Sequence, residues 1–157
     1  MKNLIGEANE MALKHHKGQM YNDEYSYVVH LWDVYKILKN HNVTDESILA
    51  AAWLHDIIED TSVSYNDIKK QFGHEIAEIV YCVTDELGRN RNERHLKSWS
   101  KQQDSPKAII VKQADRLANV QAFDKIDMYK KEYPDFRAAL KPFGGLPELW
   151  MKLDEIG

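Results

Sequence analysis

The stretch Ile48 to Thr61, ILAAAWLHDIIEDT, sets the terms for any fold this chain adopts. Ile48 to Leu54 is an unbroken apolar run; His55-Asp56 follows, then Ile57 and Ile58, then Glu59-Asp60. Such a run belongs in a core, yet three acids and an imidazole crowd its end. Taking an ionised carboxylate out of water is strongly unfavourable unless it is paired or bound to a metal. The cluster needs a partner, and a metal ion is the one that four such groups share most readily.

The rest of the chain reads as helices around that segment. Leu4, Ile5, Ala8, Met11 and Ala12 fall at helical spacing and predict a first helix over roughly 2–17, stopped near Gly18. Residues 18–26 carry turn formers and predict a loop. Tyr27, Val28, Leu31, Val34, Tyr35 and Leu38 predict a second helix with His30 near its start. Thr44 or Asp45 is a candidate N-cap for the next helix, which runs from Glu46 until Thr61 to Ser64 ends it. Ser64 should cap a short helix over Tyr65 to Phe72, Gly73 should break it, and Glu75 to Asp85 should form another buried helix. The polar block Leu87 to Gln103 reads either as a mobile loop or as an exposed helix. Ser105-Pro106 looks like an N-cap with proline at the first helical position, opening a long helix with Asp115 and Asn119 four apart on one face. In the tail, Pro134, Pro142, Gly144-Gly145 and Pro147 should cut the chain into short helical pieces, with Leu149, Trp150 and Leu153 packing it back on the core. No strand-like alternation of any length is present, so the expected fold is all-α, a compact multi-helix arrangement.

Length and charge narrow the function. The 157 residues fit a single domain over 1–157, and 43% hydrophobic with 29% charged content is ordinary for a soluble globular chain. Net charge is 21 minus 25, or −4, with basic residues dispersed, which argues against duplex nucleic acid or an anionic membrane as partner. No apolar window approaches the length of a membrane span. The single cysteine, Cys82, lies in an apolar run and suits a reducing compartment, so the expected setting is cytoplasmic.

On a continuous helix Glu59 would lie over both His55 and Asp56, and Asp60 over Asp56. His55 and Asp56 would converge on one ion only at the edge between their directions, leaving room for His30 and Asp115 from other helices. Two imidazoles and two carboxylates suit a borderline or fairly hard divalent ion such as Mn²⁺, Fe²⁺, Co²⁺ or Zn²⁺. Such an ion activates water near neutral pH and offsets charge on a phosphoryl oxygen, and Glu59 and Asp60 stand where they could orient that water or exchange protons with it. An isolated His-Asp pair is frequent by chance. What favours a site is the acid cluster inside an apolar segment, because a purely structural role needs a separate partner for each acid.

His30, then His55-Asp56, then Asp115 resembles the H…HD…D signature of the HD-domain metal phosphohydrolases. More narrowly, HKGQ (16–19) with Tyr27 and His30, LHDIIEDT (54–61), FGHEIAEIVYCVTDE (72–86) and VKQADRLANV (111–120) are similar to the hydrolase domain of the RelA/SpoT enzymes and the stand-alone small alarmone hydrolases. The likeness covers roughly residues 8–123, followed by a helical extension over 124–157. It implies an HD fold, one Mn²⁺ held by His30, His55, Asp56 and Asp115, and hydrolysis of the 3′-pyrophosphate of (p)ppGpp. It also implies Glu59 and Asp60 as the catalytic acid pair, Asn119 as a nucleotide contact, and Thr84-Asp85 as supporting structure.

One segment departs from that pattern. The family follows its GQ with a basic run and Ser-Gly-Glu-Pro-Tyr; this chain has Met20, Tyr21, Asn22, Asp23, Glu24, Tyr25 and Ser26 before Tyr27. Tyr21 and Asn22 thus stand where the family places an arginine against guanine and a lysine near phosphate. Tyr21 remains able to stack on a base. Lys14, His15, His16 and Lys17, or Arg89, Arg91, Arg94 and Lys97, are the available replacements for the charge. Arg116 either pairs with an acid of the cluster or reaches a substrate phosphate. His15 and His16 read as exposed helix-end residues, His41 and His74 as structural, and Trp32, Trp53, Trp99 and Trp150 as packing residues. Two other readings stay open: hydrolysis of a different nucleotide, and a module that binds a nucleotide without hydrolysing it.

Overall fold

A computed structural model describes residues 2–122 and 126–157. The expected boundary between core and extension, at 123/124, lies outside the described residues. Among them there is no strand, only an isolated antiparallel bridge from Met20 to Ser26 that closes the loop after the first helix.

The organising element is α3 (Glu46–Leu54), in which every residue from Ile48 to Leu54 is buried. A helix apolar on all sides has to be surrounded, and α3 packs against α1 (Leu4–His15), α2 (Tyr27–Asn40), α6 (His74–Val83) and α8 (Pro106–Gln121). The buried residues of α1 are Ala8 and Ala12, whose small side chains let it lie close to α3. Asp45 caps α3 through the backbone N–H groups of Ser47 and Ile48, as its side-chain chemistry predicts.

The helix from Glu46 does not run through to Thr61. It stops at Leu54; His55 and Asp56 form a turn, with Asp56 at φ −107° and ψ 3°, and α4 (Ile57–Asp60) restarts the helix. His55 Nδ1 bonds the carbonyl of Ala52 at 2.8 Å, so the side chain occupies an acceptor of the last turn of α3. Thr61 closes α4 by donating from Oγ1 to the carbonyl of Ile57 at 2.6 Å. The His-Asp pair therefore sits in a bend between two helices rather than on one face of a continuous one.

Beyond the bend, α5 (Tyr65–Phe72) opens with a capping box in which Ser64 and Asp67 satisfy each other's backbone N–H groups. Gly73, at φ +96°, adopts a conformation that side chains disfavour and lets α6 leave in a new direction. The polar block is helical: α7 (Arg91–Gln102) is capped by Asn90 and buries Ser98, Trp99 and Gln102. Ser105 and Pro106 open α8 as expected.

The tail differs from expectation at one point. Pro134 does not end a helix; α9 (Ile126–Leu140) runs through it. Proline removes one backbone donor and crowds the preceding turn, but Tyr133, Phe136 and Leu140 are buried on the opposite face and hold the helix down. The other breakers act as predicted, giving a 3-10 turn over Lys141–Phe143 and then α10 (Pro147–Ile156). Leu149, Trp150 and Leu153 are buried, and the buried amide of Gln113 clamps the backbone of Leu146 with both its oxygen and its nitrogen. Because Pro134 is exposed and contributes no burial, Pro134→Ala should raise stability by about 1–3 kcal/mol through the restored helical bond, read as a higher denaturant midpoint with an unchanged slope.

Candidate metal centre

The bend brings His55 and Asp56 opposite α2 and α8. His30 comes from the first turn of α2, started by the Ser26 N-cap, and Asp115 from the middle of α8. One potential ligand atom from each of His30, His55, Asp56 and Asp115 lies within 4.8 Å of the others. His30 Nε2 is 2.9 Å from Asp115 Oδ1, and His55 Nε2 is 2.9 Å from Asp56 Oδ2 and 3.3 Å from Asp115 Oδ1.

The hydrogen-bond polarity of this cluster fits a cation. With Nδ1 of His55 donating to the Ala52 carbonyl, the neutral ring presents a lone pair at Nε2, a buried atom with no hydrogen-bond partner of its own. That lone pair faces carboxylate oxygens, so acceptors converge on acceptors until a proton or a metal ion comes between them. The electrostatics agree. Burial alone would depress the His55 imidazolium, yet the charges of Asp56 and Asp115 raise its pKa well above the ordinary value. Burial would raise the two carboxyls, but His55 draws Asp56 down to about 2, and Lys112, with His30 and His55, holds Asp115 well below the usual range.

A second set of side chains fixes the first. Tyr27 donates its hydroxyl to Asp56 Oδ2. Lys112, one turn before Asp115, is 3.3 Å from its Oδ2 and 3.8 Å from Asp85 Oδ1. Asn119 donates to Asp115 Oδ1 at 3.3 Å and accepts from the Tyr21 hydroxyl at 2.7 Å. Tyr21 also stacks on His30 with ring centroids 5.0 Å apart.

Comparison with known proteins gives this geometry a family. The family model described as "HD domain" matches residues 8–136. The chain belongs to the HD domain family. It is 36% identical over 118 residues to the Drosophila melanogaster guanosine-3′,5′-bis(diphosphate) 3′-pyrophosphohydrolase MESH1, covering 73% of this chain and 66% of that protein. Identity to the Xenopus tropicalis MESH1 is 37% over 121 residues, covering 74% of this chain and 68% of that one. The match thus spans about two thirds of the length of these relatives. The Escherichia coli bifunctional (p)ppGpp synthase/hydrolase SpoT is 30% identical over 98% of this chain and 23% of its own length. A solved structure described as a metazoan orthologue of SpoT that hydrolyses ppGpp superposes with a TM-score of 0.86 at 30% identity, over 99% of this chain and 94% of its own.

Within the HD fold, most of the residues singled out from the sequence meet at this centre. Glu59 and Asp60 end α4, near enough to the centre for the Asp56 charge to act on both carboxyls. Burial, then the charges of Asp85 and Asp56, push the Glu59 carboxyl up to about 7; burial also raises Asp60, opposed by a 3.0 Å bond from Gln19 Nε2. Two expectations need correction, and of the two readings of Arg116 one falls away. Lys14 is exposed on the last turn of α1 and lines no cavity beside the centre. Arg116 pairs with no acid of the cluster; it bonds Glu132 Oε1 of α9 at 3.0 Å and lies over the rings of Tyr129 and Phe136. His16 is fully buried rather than exposed, stacked on Tyr27. Asn22 turns its side-chain oxygen back to the N–H groups of Glu24 and Tyr25 and shapes the loop. The sequence reading missed Tyr27 and Lys112 as partners of the acids, although both lie inside the quoted motifs. It also missed Glu132, Tyr129 and His95, which only the tertiary fold brings in.

Because an imidazolium proton and a metal ion compete for His55 Nε2, divalent metal binding should release protons, and affinity should fall about tenfold per pH unit for each proton displaced below the raised His55 pKa. Calorimetry in buffers of differing ionisation enthalpy measures the release. The Glu59 carboxyl should titrate near 7 in the metal-free protein and lower once a diamagnetic divalent ion offsets Asp56, as followed by carbon-detected magnetic resonance.

Proposed function

We propose that the protein is a metal-dependent phosphohydrolase that cleaves the 3′-pyrophosphate from (p)ppGpp, yielding GDP or GTP and pyrophosphate. The observation that carries the reading is the position of His30 between two unlike cavities. On one side lies a cavity of about 380 Å³ walled by Val29, Ile37, Ala118 and Ala122 with Tyr21 and Asn22. On the other lies a polar cavity of about 210 Å³ lined by Arg91, His95, Lys112 and Arg116 as well as Asp56 and Asp115. An apolar, aromatic slot suits a nucleobase and a cation-lined cavity suits phosphates; a nucleotide bridging them places a phosphoester beside the four candidate ligands.

This arrangement also supplies the positive charge that the 20–26 loop lacks. Arg91 and Arg116 share Glu132, so the three side chains carry a net positive charge at the cavity wall. Lys112, between Asp85 and Asp115, offsets the carboxylates along the same wall. Tyr21 takes the stacking role on the other side.

His30, His55, Asp56 and Asp115 would hold the ion, and Mn²⁺ suits the mixed nitrogen and oxygen donors. When bound, it would lower the pKa of water and offset charge on the phosphoryl oxygen. Glu59, ionising near neutrality, accepts the proton of the attacking water, and Asp60 orients that water through the carboxylate held by Gln19. Arg91 and Lys112 fix the phosphates. The cytoplasm is where such a substrate would be met.

With Mn²⁺ and ppGpp the expected products are GDP and pyrophosphate, resolved by chromatography; release of orthophosphate or triphosphate from other nucleotides instead would move the assignment to a different substrate. His55→Ala or Asp56→Ala should abolish metal binding and turnover together. Arg91→Ala should raise KM about tenfold while leaving kcat within a few-fold, because it removes a charge-assisted contact to phosphate.

A further inference from the structure

His16 is the one fully buried histidine that the proposed mechanism does not use. It ends α1, has no exposed surface, and stacks on Tyr27 with ring centroids 5.2 Å apart at 23°. Its Nδ1 is 2.8 Å from Gln19 Oε1, and Gln19 Nε2 donates to Asp60 Oδ2 at 3.0 Å. Its Nε2 is buried with no hydrogen-bond partner.

The polarity of this chain can run only one way when Asp60 is ionised. A carboxylate accepts and never donates, so Gln19 must turn its amide nitrogen toward Asp60. Its amide oxygen then faces His16, which must carry its proton on Nδ1. The price is a buried Nε2 without a partner, an arrangement unfavourable by itself. A histidine kept for packing alone would have no reason to retain that orphaned atom, since an apolar side chain would fill the same space without it. What the imidazole supplies is the Nδ1–H that stops the Gln19 amide from rotating its oxygen toward Asp60.

We propose that His16 is a positioning residue for Asp60: acting through Gln19, it holds the Asp60 carboxylate at the mouth of the centre as a fixed acceptor for the attacking water. The proposal rests on the role given to Asp60 above. His16 touches neither substrate nor metal in this scheme. Its ring also stacks on Tyr27, a packing contact that a side chain of similar bulk keeps.

The test compares His16→Leu, His16→Asn, Gln19→Leu and Asp60→Asn, with the double variant His16→Leu/Asp60→Asn, by steady-state kinetics on ppGpp and by metal-binding calorimetry. His16→Leu keeps the bulk and removes the donor; kcat should fall about tenfold, with KM and metal affinity unchanged. His16→Asn places a side-chain N–H where Nδ1 stood and should restore most of the rate. Gln19→Leu, at a partly exposed site, should reproduce the loss without disturbing the interior. In the Asp60→Asn background His16→Leu should cost nothing further, because its effect passes through Asp60. Additive losses in the double variant, no rescue by asparagine, or a full rate in Gln19→Leu would overturn the proposal. Full activity in Asp60→Asn alone would instead overturn the role given to Asp60, which separates the two failures.

Discussion

The hydrogen bond from His55 Nδ1 to the carbonyl of Ala52 is the interaction on which the rest of the arrangement turns. It does two things at once. It ends α3 where the apolar run stops, and it fixes the ring so that its second nitrogen points at Asp56 and Asp115. On an unbroken helix the two neighbouring side chains would diverge by about 100°. The bend removes that conflict. Two adjacent residues then serve one point in space, where their acceptors face one another. A low-dielectric interior makes such crowding untenable without a cation, and that is also why a cation would bind well there.

Charge is then graded outward from this point. The innermost acids are held ionised by imidazoles and by Lys112, while Glu59, farther out and facing Asp85 and Asp56, is pushed toward neutrality. One cluster of carboxylates thereby contains acids suited to bind and an acid suited to move a proton, separated by their neighbours rather than by residue type. The tail takes part in the same gradient. Glu132 and Tyr129 of α9 draw Arg116 away from Asp115 and hold it against aromatic faces, so the guanidinium lines the polar cavity without competing for the inner site. A tail that looked like a packing extension is part of the wall where phosphates would lie, and the family match accordingly reaches residue 136.

Legibility in the sequence followed the range of the forces involved. Caps at Asp45, Ser64 and Ser105, the apolar periodicities and the proline at the start of α8 are local signals, and the helices they predict are present. The four candidate ligands were readable because acids inside an apolar segment demand compensation wherever they lie. The break at His55 was not, since nothing in LHDIIED is a helix breaker and the interruption comes from a side chain bonding its own backbone. Pro134 misled for the opposite reason: a strong local breaker was overridden by the burial of Tyr133, Phe136 and Leu140. Burial of His16 and the diversion of Arg116 to Glu132 depend on helices far apart in the chain, which periodicity cannot report.

The same reasoning bears on the loop that departs from the family pattern. An arginine at position 21 would bring a charge to this cavity, and a guanidinium would add repulsion toward any cation held by His30. Tyr21 removes that repulsion. Its ring lies against His30 and its hydroxyl donates to Asn119, which in turn donates to Asp115. The wall of the cavity beside Tyr21 is thus bonded, through two hydrogen bonds, to a candidate metal ligand. The cations of this site lie across the centre from the loop, on Arg91, Lys112 and Arg116. The inner four residues keep the partners they need for a cation.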